Sequence, residues 1–151
     1  MGSAQVIERV WATDIQLVWE LWTTAEGIAS WFGPKGFEVE VTTCDLRVGG
    51  AFVYTMRAAD PATAAAMEKR GRPASFTVES KFTEVERPHR VVYDSPYGPE
   101  TMTTAAEFSE VEGGVKLVLT VDATKPEMLG GAMMGWRSSL ERLAEAVAAA
   151  G

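Results

Sequence analysis

Few residues in this sequence could do acid–base, nucleophilic or metal chemistry. His89 is the only histidine and Cys44 the only cysteine. His89 follows Pro88 at a chain reversal and reads as an exposed turn residue. Cys44 has no identifiable base to make a thiolate of it. One cysteine and one histidine do not make a zinc site of the usual kind, and no serine has a credible His/Asp pair. Asp45 and Arg47 share a turn, which favours an ion pair over substrate contact. Glu79, Glu107 and Asp122 fall on strand faces opposite the apolar ones and read as solvated. What remains is an aromatic and methionine-rich set: Trp31, Phe37, Phe52, Tyr54, Phe76, Val78, Tyr93, Met102, Phe108, Leu119, Met133 and Trp136. Aromatic rings and thioethers adapt to irregular shapes, and ligand pockets are typically apolar with a few polar anchors. Tyr54, Tyr93 and Thr104 are the anchor candidates. Taken singly, each residue reads equally well as filled core.

The elements that must position this set follow from periodicity. Gln5 to Trp11 alternates as a strand. Thr13-Asp14-Ile15-Gln16 has capping-box spacing, with Thr13 as N-cap. The helix after it buries Ile15, Val18, Trp19 and Trp22. Thr23-Thr24-Ala25-Glu26 repeats the box and starts a second short helix, carrying Ile28 and Trp31 and stopping at Gly33-Pro34. Strands are expected over Phe37 to Thr43, Ala51 to Arg57, Ala74 to Glu86, Arg90 to Asp94, Glu100 to Glu110 and Val115 to Asp122, joined by turns. Ser95-Pro96-Tyr97-Gly98-Pro99 reads as a loop. Asp60 to Arg72 interrupts the strands with an N-cap candidate, a Pro at N1 and Gly71 at C′. It reads as an inserted short helix, the alternative being a mobile loop.

The last element is Pro126 to Ala150. Leu129, Met133, Trp136, Leu140, Leu143 and Val147 form one apolar stripe at helical spacing. Gly130, Gly131 and Gly135 in its first half cost helix stability. Either something approaches the backbone there, or the helix is frayed and begins near Ala132. A long helix closing a strand-rich chain is expected to lie across an antiparallel sheet that is apolar on one face.

The chain has 151 residues, enough for one domain spanning 1–151 with a real core. A net charge of −7 disfavours binding to phosphate backbones or anionic membranes. The apolar runs fall short of a bilayer span. No charged-then-apolar leader opens the sequence, and a lone cysteine fits a reducing compartment, so a cytoplasmic setting is expected. Met1-Gly2 lacks the Ser or Thr at position 6 that myristoylation needs.

The runs RVWATDIQLVWELWTTAEGIASWFGP, DLRVGGAFVY, FTEVERPHRVVYD and MGWRSSLERLAEAV resemble the START-like superfamily. They are most similar to its branch related to the activator of the 90-kDa heat-shock protein's ATPase. The resemblance implies an α+β helix-grip fold: an antiparallel sheet of six to seven strands wrapped around the long C-terminal helix, with two short helices after the first strand and a cavity between sheet and helix. Members bind ligands, cyclise substrates or activate a chaperone, so the fold leaves function open. Three readings stand: a module holding a small hydrophobic molecule, a protein-interaction module, and a cyclase- or hydratase-type enzyme using tyrosines or a carboxylate. No cofactor, nucleic acid or membrane is expected, and the protein is expected to be a monomer or homodimer.

Overall fold

The computed structural model describes residues 4–150; Met1-Gly2 lies outside the described residues. The order is β1 (Gln5–Trp11), α1 (Ile15–Thr23), α2 (Ala25–Ala29), β2 (Phe37–Cys44), β3 (Ala51–Ala58), α3 (Pro61–Lys69), β4 (Ser75–Glu86), β5 (Arg90–Tyr97), β6 (Glu100–Val111), β7 (Gly114–Ala123), a 3₁₀ turn (Pro126–Met128) and α4 (Leu129–Ala150). The strands form one antiparallel seven-stranded sheet, β1-β7-β6-β5-β4-β3-β2. Consecutive strands pair with one another, apart from β1, which pairs with β7. The sheet curls around α4, which runs closest to β1 and β7.

Each strand alternates, so one face gathers the apolar side chains. β7 is the clearest case: Val115, Leu117, Leu119 and Val121 are fully buried while their neighbours are half-exposed. Burying a side chain of this size contributes about 1.5–3 kcal/mol. On α4 the buried residues are Leu129, Met133, Trp136, Ser139, Leu140, Leu143 and Val147, which carries the expected stripe over the whole helix.

Several boundaries differ from the sequence reading. Asp14, rather than Thr13, caps α1, its carboxylate accepting from the Leu17 amide at 2.9 Å. Thr24, rather than Thr23, caps α2. The Thr23 hydroxyl instead donates back to the Trp19 carbonyl, as a Thr inside a helix can. β5 continues through Ser95, Pro96 and Tyr97, pairing with Met102, Thr101 and Glu100, so the expected loop shrinks to a turn at Gly98-Pro99. Pro96 lies beyond Asp94, the last β5 residue paired with β4, so its missing N–H breaks no ladder bond on that side. α3 forms as expected, capped by Asp60, and none of its residues is buried. α4 begins at Leu129, so Gly130, Gly131 and Gly135 are helical and not frayed.

The hairpin turn between β2 and β3 uses its glycines in two ways. Gly49 has φ +85°, a conformation open to glycine. A side chain on Gly50 would collide with the Asp45 carbonyl.

Candidate functional site: a half-open cavity under the start of α4

The concave side of the sheet has two ends, and different elements cover them. Over one end, α1 inserts Trp22, and the turn after α2 inserts Trp31 and Phe32. Trp22 stacks on Trp136 (5.8 Å, 8°) and meets Phe108 edge-on. Phe52 stacks on Phe82 (5.7 Å, 12°) and meets Tyr93 edge-on. The Trp31 indole donates to the Leu21 carbonyl at 2.7 Å, fixing α2 against α1. These rings leave a void of only about 10 Å³.

Over the other end lies a cavity of about 420 Å³, open to solvent on one side. Its floor is sheet: Tyr54 and Met56 of β3, Phe76 of β4, Tyr93, Ser95 and Tyr97 of β5, and Met102 and Thr104 of β6. Its roof is α4 with the turn before it: Met128, Gly131, Ala132, Gly135, Trp136 and Ser139. These positions recur at three and four and form a second stripe beside the apolar one. Phe32, Gly33 and Pro34 form one rim and Arg72 stands at the mouth. A methyl group added at Gly131 or Gly135 would meet nothing within 4 Å. The glycines are therefore not required by a close backbone approach; they leave space over the sheet.

The rim is pinned from α4. Arg142 Nη1 donates to the carbonyls of Phe32 (3.4 Å), Gly33 (2.9 Å) and Phe37 (3.2 Å). The Ser138 hydroxyl accepts from the Lys35 amide at 2.8 Å.

The polar groups inside are hydroxyls. Tyr54 neighbours Tyr97, and Tyr93 lies opposite Thr104 on the adjacent strand. Ser95 pairs with Ser80 at 2.7 Å. Burial, with smaller contributions from neighbouring tyrosines, pushes the Tyr54 and Tyr93 hydroxyls well above the ordinary tyrosine value, and burial alone raises Tyr97. All three stay protonated at neutral pH and serve as hydrogen-bond partners, not as bases. Among the described residues, the lining contains no carboxylate, histidine or cysteine, and no group of His, Cys, Asp and Glu could hold a metal ion. Cys44 lies apart, its thiol donating to the Thr23 carbonyl at 3.3 Å and pushed up by burial and by Asp45. His89 is exposed, with Nδ1 3.2 Å from the Phe108 carbonyl. Arg47 and Asp45 form an exposed ion pair at 2.7 Å.

Of the sequence candidates, Tyr54, Phe76, Tyr93, Met102, Thr104 and Trp136 border the cavity. Trp31, Phe37, Phe52, Val78, Phe108, Leu119 and Met133 do not. Trp31, Phe52 and Phe108 belong to the ring-packed end, and Val78 and Leu119 are closed into the core. Phe37 is half-buried at the start of edge strand β2. Met133 sits on the buried stripe of α4, one side removed from the cavity stripe. Ser95 and Tyr97 lie in the stretch that its proline and glycine mark as a loop; extending the alternation of Tyr93 finds both. Met56 shares the face of Phe52 and Tyr54, which was signal enough to include it.

An antiparallel sheet curled around a long C-terminal helix, with a hollow between them, defines the helix-grip class of START-like proteins. Residues 12–148 match the family described as activator of Hsp90 ATPase homolog 1-like protein, and the chain belongs to that family. Among solved structures, an AHSA1-like protein from Aeromonas hydrophila is 26% identical with a TM-score of 0.76, covering 98% of this chain and 94% of that one. A protein from Nitrosomonas europaea is 24% identical with a TM-score of 0.79, covering 98% and 96%. One from Arthrobacter aurescens is 16% identical with a TM-score of 0.82, covering 97% and 87%. The last two show the shared fold alone. No curated protein matches the sequence. Among the described residues, no helix is long and apolar enough to cross a membrane.

Proposed function

We propose that the protein binds a small hydrophobic or amphipathic molecule in the cavity under the start of α4 and does not turn it over. One observation carries this reading: above the hollow α4 presents Gly131, Ala132 and Gly135, whereas further along the helix Leu140, Leu143 and Val147 fill the core. A filled core would place larger side chains there. The volume of about 420 Å³ falls in the range of small-molecule sites. A ligand burying roughly 300 Å² of apolar area would gain about 7 kcal/mol before association costs. The hydroxyls of Tyr97 and Tyr93 offer orientation, while their raised pKa values speak against acid–base turnover. The reading places the protein in a reducing cytoplasm, in keeping with its single half-buried cysteine.

The test is titration of a neutral fluorescent apolar probe into the wild type and Gly135→Leu. Gly135 is central to the roof stripe and has open space before it. Saturable binding to the wild type, lost in the folded variant, supports the reading. Equal binding by both would place the probe elsewhere and remove the cavity as the binding site.

A further inference from the structure

We propose that the ligand is an amphiphile with an apolar body and a single carboxylate, and that Arg72 receives the carboxylate at the cavity mouth. This rests on the binding reading above and narrows it to a chemical class.

Among the described residues, Arg72 is the one charged member of the lining. That is unexpected in a protein whose net charge is −7, where most surface charge would repel an anion. Its surroundings leave it unspent. Among the described residues, the ion pairs engage Arg47, Arg57, Arg90 and Lys116. Arg142 is used by backbone carbonyls and Arg9 by the Glu8 carbonyl. Arg72 has neither kind of partner.

Its place is set by the backbone. α3 ends at Lys69, Gly71 turns the chain with φ +70°, and the Arg72 amide donates to the Met67 carbonyl at 2.9 Å. α3 itself is held at Gly36, where an added methyl would meet the Thr63 hydroxyl at 2.9 Å. The inserted segment thus carries its cation to the mouth. Deeper in, Met56, Phe76, Met102 and Trp136 provide apolar walls. The apolar floor and the cation at the opening match the two ends of a carboxylic amphiphile. A guanidinium meets a carboxylate with two parallel donors, which a lysine ammonium cannot reproduce.

The test compares decanoate with decanol, which share the chain and differ in the head, by calorimetry or by displacement of the apolar probe. At low salt the wild type should prefer decanoate by about fivefold, the upper end for a solvent-exposed ion pair. Raising salt to about 0.5 M should erase the preference. Arg72→Gln should erase it at low salt, chiefly by weakening decanoate, with the thermal midpoint unchanged, since Arg72 is exposed and the helix before it buries nothing. Arg72→Lys should keep part of it. Equal affinity for both compounds in the wild type, or a preference that survives Arg72→Gln, would overturn the assignment of Arg72 and leave the cavity standing. If neither compound nor the neutral probe binds, the binding function itself falls and this inference with it.

Discussion

The two ends of the concave sheet are built from the same residue types, yet one is solid and the other hollow. At the solid end Trp22, Trp31, Phe32, Phe52 and Phe82 interlock and leave about 10 Å³. At the hollow end Tyr54, Phe76, Tyr93 and Tyr97 surround about 420 Å³. The sheet presents rings to both ends, so the strands do not make the difference. The covering elements do: α1 and the turn after α2 bring tryptophans down onto one end, whereas the start of α4 brings glycine and alanine over the other. Trp136 is the partition, stacked on Trp22 on one side and bordering the cavity on the other. A cavity is thus specified by what is left out of its roof as much as by its lining.

The largest effect should come from breaking the solid end. Trp31→Ala removes a fully buried ring, with its contacts to Trp22, Phe32 and Trp136 and its bond to the Leu21 carbonyl. It should cost about 3–5 kcal/mol, a large share of the roughly 5–15 kcal/mol that holds such a domain. Urea unfolding measures this, and a loss below about 1 kcal/mol would mean the rings are not interlocked.

Arg142→Met comes next, because Arg142 ties the α2–β2 loop, and with it the rim of both ends, to α4. Three carbonyls lose a charged donor, which should cost about 1.5–3 kcal/mol. The same variant should speed probe dissociation as the rim loosens. Unchanged stability and unchanged off-rate would show that the loop holds itself.

The hollow end should reveal itself in alkali. Tyr54, Tyr93 and Tyr97 are pushed above the ordinary value of 10.0 by burial. The unfolded chain releases these protons near that value, while the folded protein keeps them. Their contribution is therefore complete below about pH 10 and is lost as pH rises through the folded values. The slope should reach at most about 1.4 kcal/mol per pH unit for each tyrosine. Urea midpoints at rising pH give the slope; Tyr54→Phe should flatten it, and an identical slope in that variant would rule out Tyr54 as a contributor.

The smallest stability effect has the opposite sign. Gly135→Leu should stabilise by about 1 kcal/mol through helix propensity alone, because an added Cβ meets nothing within 4 Å and Gly135 borders the hollow. It should abolish probe binding at the same time. A more stable protein that binds less is the signature of a hollow kept at a cost in stability. A destabilised variant would mean that the roof is already filled.

The order of strands and helices, the shared apolar face, the capped insert and the amphipathic second half of α4 were all legible in the sequence. Each rests on local periodicity or on a cap or turn residue acting within a few positions. The family resemblance was carried by such runs as WFGP and RVGGAF, which code for local chain geometry. The sequence likewise marked the three glycines near the helix start as needing a reason. What it left open was which aromatic side chains touch each other and which surround space. Trp31 and Tyr54 look alike as buried rings on an inward face, and Met133 and Ala132 are adjacent in the chain. One of each pair lies in packed core and the other borders the cavity. That division depends on the distance between α4 and each strand of a curled sheet, a quantity set by all the side chains between them at once. Arg72 shows the same limit. Nothing around it in sequence marks it as a cavity residue; it reaches the mouth because α3 docks at Gly36 and Gly71 turns the chain back toward the sheet.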